Sequence, residues 1–380
     1  MENPFVLMVY NKDFQFQGYI GNPISLAVTP RFNETGTATV EIDLAHRLAP
    51  AILTDGSRLV VYKDGVFVLS GKIHQKTAEG PTVKGTLKFF VKSDFRVLHQ
   101  VLGWPLPDQP IGSQTNADQT VTGNSEFILK SYVSRNAVTR LGLPITIATD
   151  LGRGAVIPDG VTVRFHPLYE KLFPAVELAG LGVTFEQHDG TIVCDVFTPP
   201  VYPFTLTEES GMLQWWSWTA GDATATRVVA GGGGEKEGRL FTEVVNTALE
   251  TAYNDAIEVF RDGSGGDAGD TAEVKLAKLT ADAQETLDEN VPKNGFAVKL
   301  SETGTFRYGQ NNLVVGALVT ISVGGVTRTD YLREVTMTYS RDGGVGVTPV
   351  VGDIQDNPDR VIASFLARLK KSITDLKVSK

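Results

Sequence analysis

The chain has 380 residues, 42% of them hydrophobic and 21% charged, with 39 glycines, one cysteine and a net charge of −9 at pH 7. This length allows about two to four domains that each bury a core, and the acidic balance argues against a dedicated nucleic-acid binder, which carries a basic stripe. The lone Cys194 excludes an intrachain disulfide and a cysteine-based zinc site. It lies in the alternating segment 191–197 and reads as a small buried hydrophobe. No run approaches the ~20 apolar residues that span a bilayer, and Met1 to Tyr10 lacks the basic start of a leader. A soluble chain without stable membrane insertion is expected.

Taken in chain order, residues 5 to about 92 read as short strands. Ala38 to Leu44 alternates, Arg58 to Tyr62 and Gly65 to Ser70 flank an Asp64-Gly65 turn, and Thr86 to Val91 alternates again. Regular strands with such turns imply a barrel or sandwich. The character changes at Asp94. Phe95 to Leu102 predicts a short helix stopped by Gly103 and the segment Trp104-Pro105-Leu106-Pro107. Thr122 reads as the N-cap of a second helix, in which Phe127, Ile128, Tyr132 and Val133 recur at helical spacing. Leu168 to Leu181 predicts a third, ended by Gly182 and followed by a hairpin around Gly190. Together these elements predict a small α+β domain over 95–200.

Pro199-Pro200 marks the next boundary. Leu213 to Thr219, Ala225 to Ala230 and Ile257 to Phe260 read as strands. Residues 262–270 are Gly/Asp-rich and predict a loop, and Thr271 opens a helix that runs to about Asn290. Gly295 to Gly352 returns to strands. A terminal helix follows: Asn357 caps it, Pro358 fits its first turn and Asp359 complements its dipole. Val361, Phe365, Leu369, Ile373 and Leu376 form an apolar stripe, and Lys370, Lys371, Lys377 and Lys380 make the far end basic. That stripe must bury against its own domain, a neighbouring subunit or a following protein.

Familiar catalytic patterns are missing. The run Gly231-Gly232-Gly233-Gly234 is followed by Glu235, and Lys236 by Glu237, so it has neither the Gly-Lys-Ser/Thr of a phosphate loop nor a dinucleotide fingerprint. It reads as a turn or bulge where backbones pack closely. His46, His74, His99, His166 and His188 are scattered, with no metal-ligand spacing, and no nucleophile elbow is present. No cofactor, metal site or catalytic residue is expected. Glu208-Glu209 precedes Trp215, Trp216 and Trp218, as a sugar cleft would require. Adjacent carboxylates on a strand point to opposite faces, however, and cannot flank one bond. Trp215 and Trp216 likewise face opposite ways, one toward the core and one toward an interface.

A strand pattern occurs twice, over Gly56–Phe89 and Gly316–Gly352. Each copy has an alternating strand, a Gly-containing turn (Asp64-Gly65, Gly324-Gly325), a return strand and a third strand.

Four segments in order resemble the tail-hub, or minor tail, proteins of long-tailed phages, especially those of actinobacteria. They are Trp104 to Pro107 with VTGNSEFILKSYVSRN (121–136), DLGRGAVI (150–157) with the helix and hairpin after it, RVVAGGGGEKEGR (227–239), and FRYGQNNLVVGALVTISVGG (306–325). Gly233 and Ala317 depart from the family's usual residues. The resemblance implies a mainly β fold with an α+β insert: two tube-type β-barrel modules (1–94, and 201–352 with an insertion at about 262–294), an outer domain (95–200) and a C-terminal helix (353–380). It further implies a homotrimer at the distal tail tip. Such a trimer contacts the distal tail protein, the tail tube, the tape measure protein and further tip proteins, and DNA passes only in transit. A receptor- or glycan-binding tip protein is the alternative. Trp216, Gly231, Gly232, Gly233, Gly234, Arg239, Phe365 and Leu369 are the candidate interface residues.

Overall fold

In the computed structural model, residues 3–210, 213–232, 238–263, 269, 271–292, 294–300 and 307–352 are described. Gly233, Gly234, Phe365, Leu369 and the whole predicted terminal helix lie outside the described residues.

The first 93 residues carry β1 (Phe5–Tyr10), β2 (Phe16–Ile20), β3 (Ser25–Thr29), β4 (Thr37–Asp43), the short helix α1 (Ala49–Leu53), β5 (Arg58–Lys63), β6 (Val66–Glu79) and β7 (Thr86–Ser93). The period of two is visible in burial: Phe5, Leu7 and Val9 of β1 and Ala38, Val40 and Ile42 of β4 are buried between more exposed neighbours. The next segment holds α2 (Val97–Gln100), β8 (Gln119–Asn124), α3 (Ser125–Val133), β9 (Ile145–Ile147), β10 (Val156–Val163), α4 (Leu168–Leu178), β11 (Gly182–His188) and β12 (Thr191–Phe197). Ile128, Leu129 and Tyr132 of α3 and Leu172 and Val176 of α4 share one core with Val183, Phe185, Cys194 and Val196. Asn33, in the link between β3 and β4, stitches this core to the first strands. Its amide donates to the Leu181 carbonyl and accepts from Val183 N, both at 2.9 Å.

The rest of the chain forms β13 (Val201–Thr207), β14 (Leu213–Ala220), β15 (Arg227–Gly232), β16 (Leu240–Val245), α5 (Thr247–Tyr253), β17 (Glu258–Asp262), α6 (Ala272–Glu289), β18 (Asn294–Leu300), β19 (Leu318–Val323), β20 (Val326–Ser340) and β21 (Gly344–Gly352). Two units result: the described residues up to Ser217 with those from Ala297 to Gly352, and Trp218–Phe296. In the second unit, β15 lies between antiparallel β16 and parallel β17. Helix α6 covers one face of that sheet through Leu279, Ala283 and Leu287. Among the described residues no helix is long and apolar enough to cross a membrane.

Several local expectations are met closely. Thr271 caps α6 by accepting from Val274 N, and the hairpin around Gly190 is β11–β12. Three expectations differ. The N-cap of α3 is Asn124, whose side chain accepts from Phe127 N at 2.8 Å, because Thr122 is still paired in the β8–β10 hairpin. Helix α4 ends at Gly180, the residue with a left-handed φ of 63°, whereas Gly182 already opens β11. Gly231 and Gly232 are the last residues of strand β15; the close backbone packing expected of them is present, since a Cβ on Gly232 would lie 2.2 Å from the Gly263 carbonyl.

The doubled pattern of the sequence is a doubled architecture. β5-β6-β7 and β19-β20-β21 are antiparallel meanders of 6, 14 and 8 and of 6, 15 and 9 residues. Each first turn has two left-handed residues, Asp64 and Gly65 (φ 49° and 81°) and Gly324 and Gly325 (φ 55° and 79°). This is the two-residue geometry that matches strand twist. Each long strand has a register shift, after Ile73 and after Leu332. The likeness extends to five strands, with spatial order β3-β4-β7-β6-β5 in one repeat and β14-β18-β21-β20-β19 in the other. The chain visits corresponding strands in the same sequence. The repeats differ in the strand beyond: β1 is antiparallel to β5, while β13 is parallel to β19. They differ also in one connection, because the second unit joins β14 to β18 where residues 30–36 join β3 to β4.

Both repeats belong to one 13-stranded sheet, joined where β3 pairs antiparallel with β20 from Ser25↔Ser340 to Val28↔Met337. Phe32 N donates to the Arg333 carbonyl at 2.7 Å. The Thr29 and Thr336 hydroxyls meet at 3.2 Å, and Arg31 pairs with Glu334 at 2.9 Å.

Two glycines separate conformational need from space. At Gly65 (φ 81°) an added Cβ meets nothing within 4 Å, while at Gly71 it would lie 2.0 Å from the Lys92 carbonyl. In urea unfolding, Gly65→Ala is expected to cost about 1–2 kcal/mol through backbone strain alone. Gly71→Ala is expected to cost about 3 kcal/mol or more, because β6 and β7 must separate.

Candidate assembly surfaces

Two of the four sequence segments that carry the family resemblance, 104–136 and 150–157, meet inside the insert. Glu126, at the start of α3, is fully buried, and its Oε1 accepts from Lys130 Nζ at 2.6 Å and from Arg153 Nη1 at 3.1 Å. Its Oε2 accepts from the Arg153 backbone N–H at 2.8 Å. Lys130 also donates to Asp195 at 2.8 Å and to the Thr149 carbonyl at 2.9 Å. Burial pulls the Glu126 carboxyl upward, but the hydrogen bonds from Lys130 and the Arg153 backbone outweigh it and hold the group below its ordinary range. Burial opposes the Lys130 ammonium, and its bonds to Asp195 and Glu126 raise it instead. Nearby, Asn136 accepts from Trp104 N at 2.9 Å and donates to the Tyr132 carbonyl at 3.1 Å, and Arg140 lies over the Trp104 ring. The motif residues Trp104, Glu126, Asn136 and Arg153 thus brace an interior and present no reactive group to solvent.

The predicted interface residues fall in two places, each within one unit. Trp216, on β14, donates from Nε1 to Glu208 at 2.7 Å, and its ring covers the Gly324 turn. Trp215 faces the other way and is 54% exposed. In the second unit, the sheet face opposite α6 carries Phe241, Val229 and Phe260, with Gly231 between Phe241 and Asp262 in register. The Arg239 guanidinium lies 5.6 Å from both phenyl centroids. It also donates to the Gly231 carbonyl at 3.2 Å and pairs with Asp262. A Cβ on Gly231 would lie 2.7 Å from the Phe241 ring, so glycine there lets the ring rest on the strand. Phe241 and Phe260 are each more than half exposed. The sequence pointed to Gly231 and Arg239; the two phenylalanines were missed, although Phe241 lies two residues after Arg239. Gly232 faces α6 and has no place on this platform.

Among the described residues, no group of three or more His, Cys, Asp or Glu side chains is placed to hold a metal. Cys194 is fully buried beside Val183 and Phe185, and burial pushes its thiol up to about 12.

The fold is that of phage tail proteins. The 43 kDa tail protein of prophage MuSo2 from Shewanella oneidensis is similar with a TM-score of 0.57 at 12% identity, over 91% of this chain and 97% of that one. A tail protein from Neisseria meningitidis MC58 gives 0.56 at 13% identity, over 92% and 96%. Prophage tail protein gp18 from Listeria monocytogenes EGD-e gives 0.51 at 10% identity, over 97% and 99%. The family described as Siphovirus ReqiPepy6 Gp37-like protein matches residues 6–353, and the chain belongs to it. No curated protein matches the sequence.

Replacing Glu126 by Gln leaves Lys130 and Arg153 without their shared carboxylate and is expected to cost on the order of 3 kcal/mol in denaturant unfolding. The native carboxyl titrates below the unfolded value of 4.5. Its contribution is therefore complete above about pH 4.5 and is lost as pH falls through the lower native value. The variant's stability should accordingly vary less with pH over that window. Thiol reagents at pH 8 are expected to label Cys194 only when the chain unfolds, with labelling tracking the unfolded fraction.

Proposed function

We propose that the chain is a structural tail-tip hub protein of a long-tailed phage. Three copies form a ring that continues the sixfold tail tube below the distal tail ring, and the ring is the exit channel for the tape measure protein and DNA. The observation that carries this reading is the internal repeat. A chain with two like-built five-strand modules supplies six modules from three copies, which matches a sixfold tube with a threefold protein. In this reading, residues 1–94 and 201–352 are the tube-type modules, 95–200 and the insertion at about 262–294 decorate them, and 353–380 is a terminal helix. The work is mechanical, and no catalytic residue or cofactor takes part. The partners are other copies of the chain, the distal tail protein, the tail tube, the tape measure protein and further tip proteins. The acidic net charge suits a channel through which a polyanion passes without sticking.

A second reading, a receptor- or glycan-binding tip protein, draws on the exposed Phe241–Arg239–Phe260 platform, since flat aromatic faces beside carboxylates suit sugar rings. Host-envelope binding by the full chain that is lost in Phe241→Ala/Phe260→Ala would favour it.

Electron cryomicroscopy of intact tails is expected to show three copies closing the tube at its distal tip. A peripheral position, or a copy number that cannot close a sixfold ring, would favour the receptor-binding reading. Truncation before Asn357 is expected to leave the circular dichroism spectrum and melting temperature of the β modules unchanged while lowering the yield of assembled tails. Normal assembly would remove the terminal stripe from the assembly surfaces.

A further inference from the structure

The joint between β3 and β20 has a counterpart that the single chain leaves vacant. β20 carries β19 along one edge as far as Tyr331 and β21 along the other from Leu332 to Ser340. β3 takes the edge that β19 leaves, from Met337 to Ser340. β6, the counterpart of β20, is built in the same way, with β5 on one edge as far as Lys72 and β7 on the other from Gly71 to Glu79. Ser57 extends the β5 edge by one bond, its carbonyl accepting from Ile73 N at 2.9 Å. Beyond it, Gln75–Glu79 has no strand on that edge among the described residues. The same holds for the counterpart of β3. β3 has β4 on one side and β20 on the other, whereas β14 has only β18 among the described residues.

We propose that the outer edge of β14 in one copy pairs with the Gln75–Glu79 edge of β6 in a second copy, repeating between chains the joint that β3 and β20 make within one. The inference rests on the ring reading above and names the surfaces that close it. The second copy is the occupant because the repeat itself supplies the precedent: β14 stands to β6 as β3 stands to β20. The two half-sites differ, so the contact is head-to-tail, and a head-to-tail contact yields a ring when its rotation closes. Successive modules around a ring of three copies then meet at three joints within chains and three between them, all alike. Open strand edges present unpaired N–H and C=O groups and invite pairing. The β6 edge is guarded in the meantime. His74, Lys76 and Glu79 make it polar, and the Lys76 ammonium is drawn aside to the Leu53 and Thr54 carbonyls at the end of α1, at 3.1 and 2.6 Å. On β14, the exposed Trp215 adds apolar area to the same contact.

The test uses the full chain with one added cysteine per variant, Thr77→Cys on β6 or Ser217→Cys on β14; buried Cys194 stays silent. Under mild oxidation neither variant cross-links with itself. Co-expressing the two raises the yield of disulfide-linked dimer by roughly tenfold or more, because pairing lifts the effective concentration of the thiols. The double variant gives a covalent trimer. Moving the cysteines over Gln75–Ala78 and Trp215–Ser217 locates the register. Sedimentation as a trimer with no position pair exceeding its single variants would overturn the edge pairing and leave the ring reading standing. Self-cross-linking of Thr77→Cys would overturn it too, since that signals a symmetric contact. A chain that sediments as a monomer at every concentration would overturn both.

Discussion

Four residue pairs between β3 and β20 make one sheet out of the two ends of this chain. The threonines that meet beside the joint, Thr29 and Thr336, are 307 positions apart. Such a separation is tolerable because the entropy of closing a loop grows only with the logarithm of its length. The α+β insert and the second unit each have a core of their own, so they add length without adding to what the joint must hold. Around the joint, the Arg31–Glu334 pair and the Phe32 backbone bond fix the register, and a shift of one residue would turn the buried Leu26, Val28 and Met337 outward. The joint also decides which strand edges are used within the chain and which are left.

The insert residues that contribute to the resemblance to a phage tail family lie largely inside. Glu126, Lys130 and Arg153 form a charged cluster whose worth depends on complete pairing, since a buried charge without its partner is costly. Trp104 and Asn136 hold the Pro-rich segment to the end of α3. These residues specify a fold and say little about what the fold does. Of the surfaces proposed for assembly, the β6 edge and the two platform phenylalanines Phe241 and Phe260 carry ordinary strand residues that no motif would single out.

Much of the architecture was legible from short-range chemistry. Asp64-Gly65 and Gly324-Gly325 announced two-residue turns, and both meanders formed where those turns placed them. Thr271 marked the start of α6 because its cap is a local hydrogen bond. Thr122 misled because a good capping residue was already committed to the β8–β10 ladder, leaving the role to Asn124. Other features were illegible for a different reason. The five-strand correspondence is interrupted by a whole unit between β14 and β18, so no fixed period survives in the sequence. The β3–β20 pairing leaves no local signature at all. In the candidate site, Gly231 and Arg239 could be named because glycine runs and lone arginines stand out. Phe260 reaches them only through the parallel pairing of β15 with β17.

One repeat keeps a short link between its first and second strands, β3 and β4, residues 30–36, while its twin threads an entire folded unit through the equivalent link. The two halves differ in what they carry, while their five shared strands are wired alike. A link that admits a second hydrophobic core without disturbing its flanking strands behaves as a cassette slot, open to exchange while the sheet stays constant. In the proposed ring the cassette would stand at alternate positions only. The sheet of that proposed ring would approximate six equivalent parts, with its true symmetry lowered to three by the cassette, by the α+β insert and by the different strand beyond each repeat.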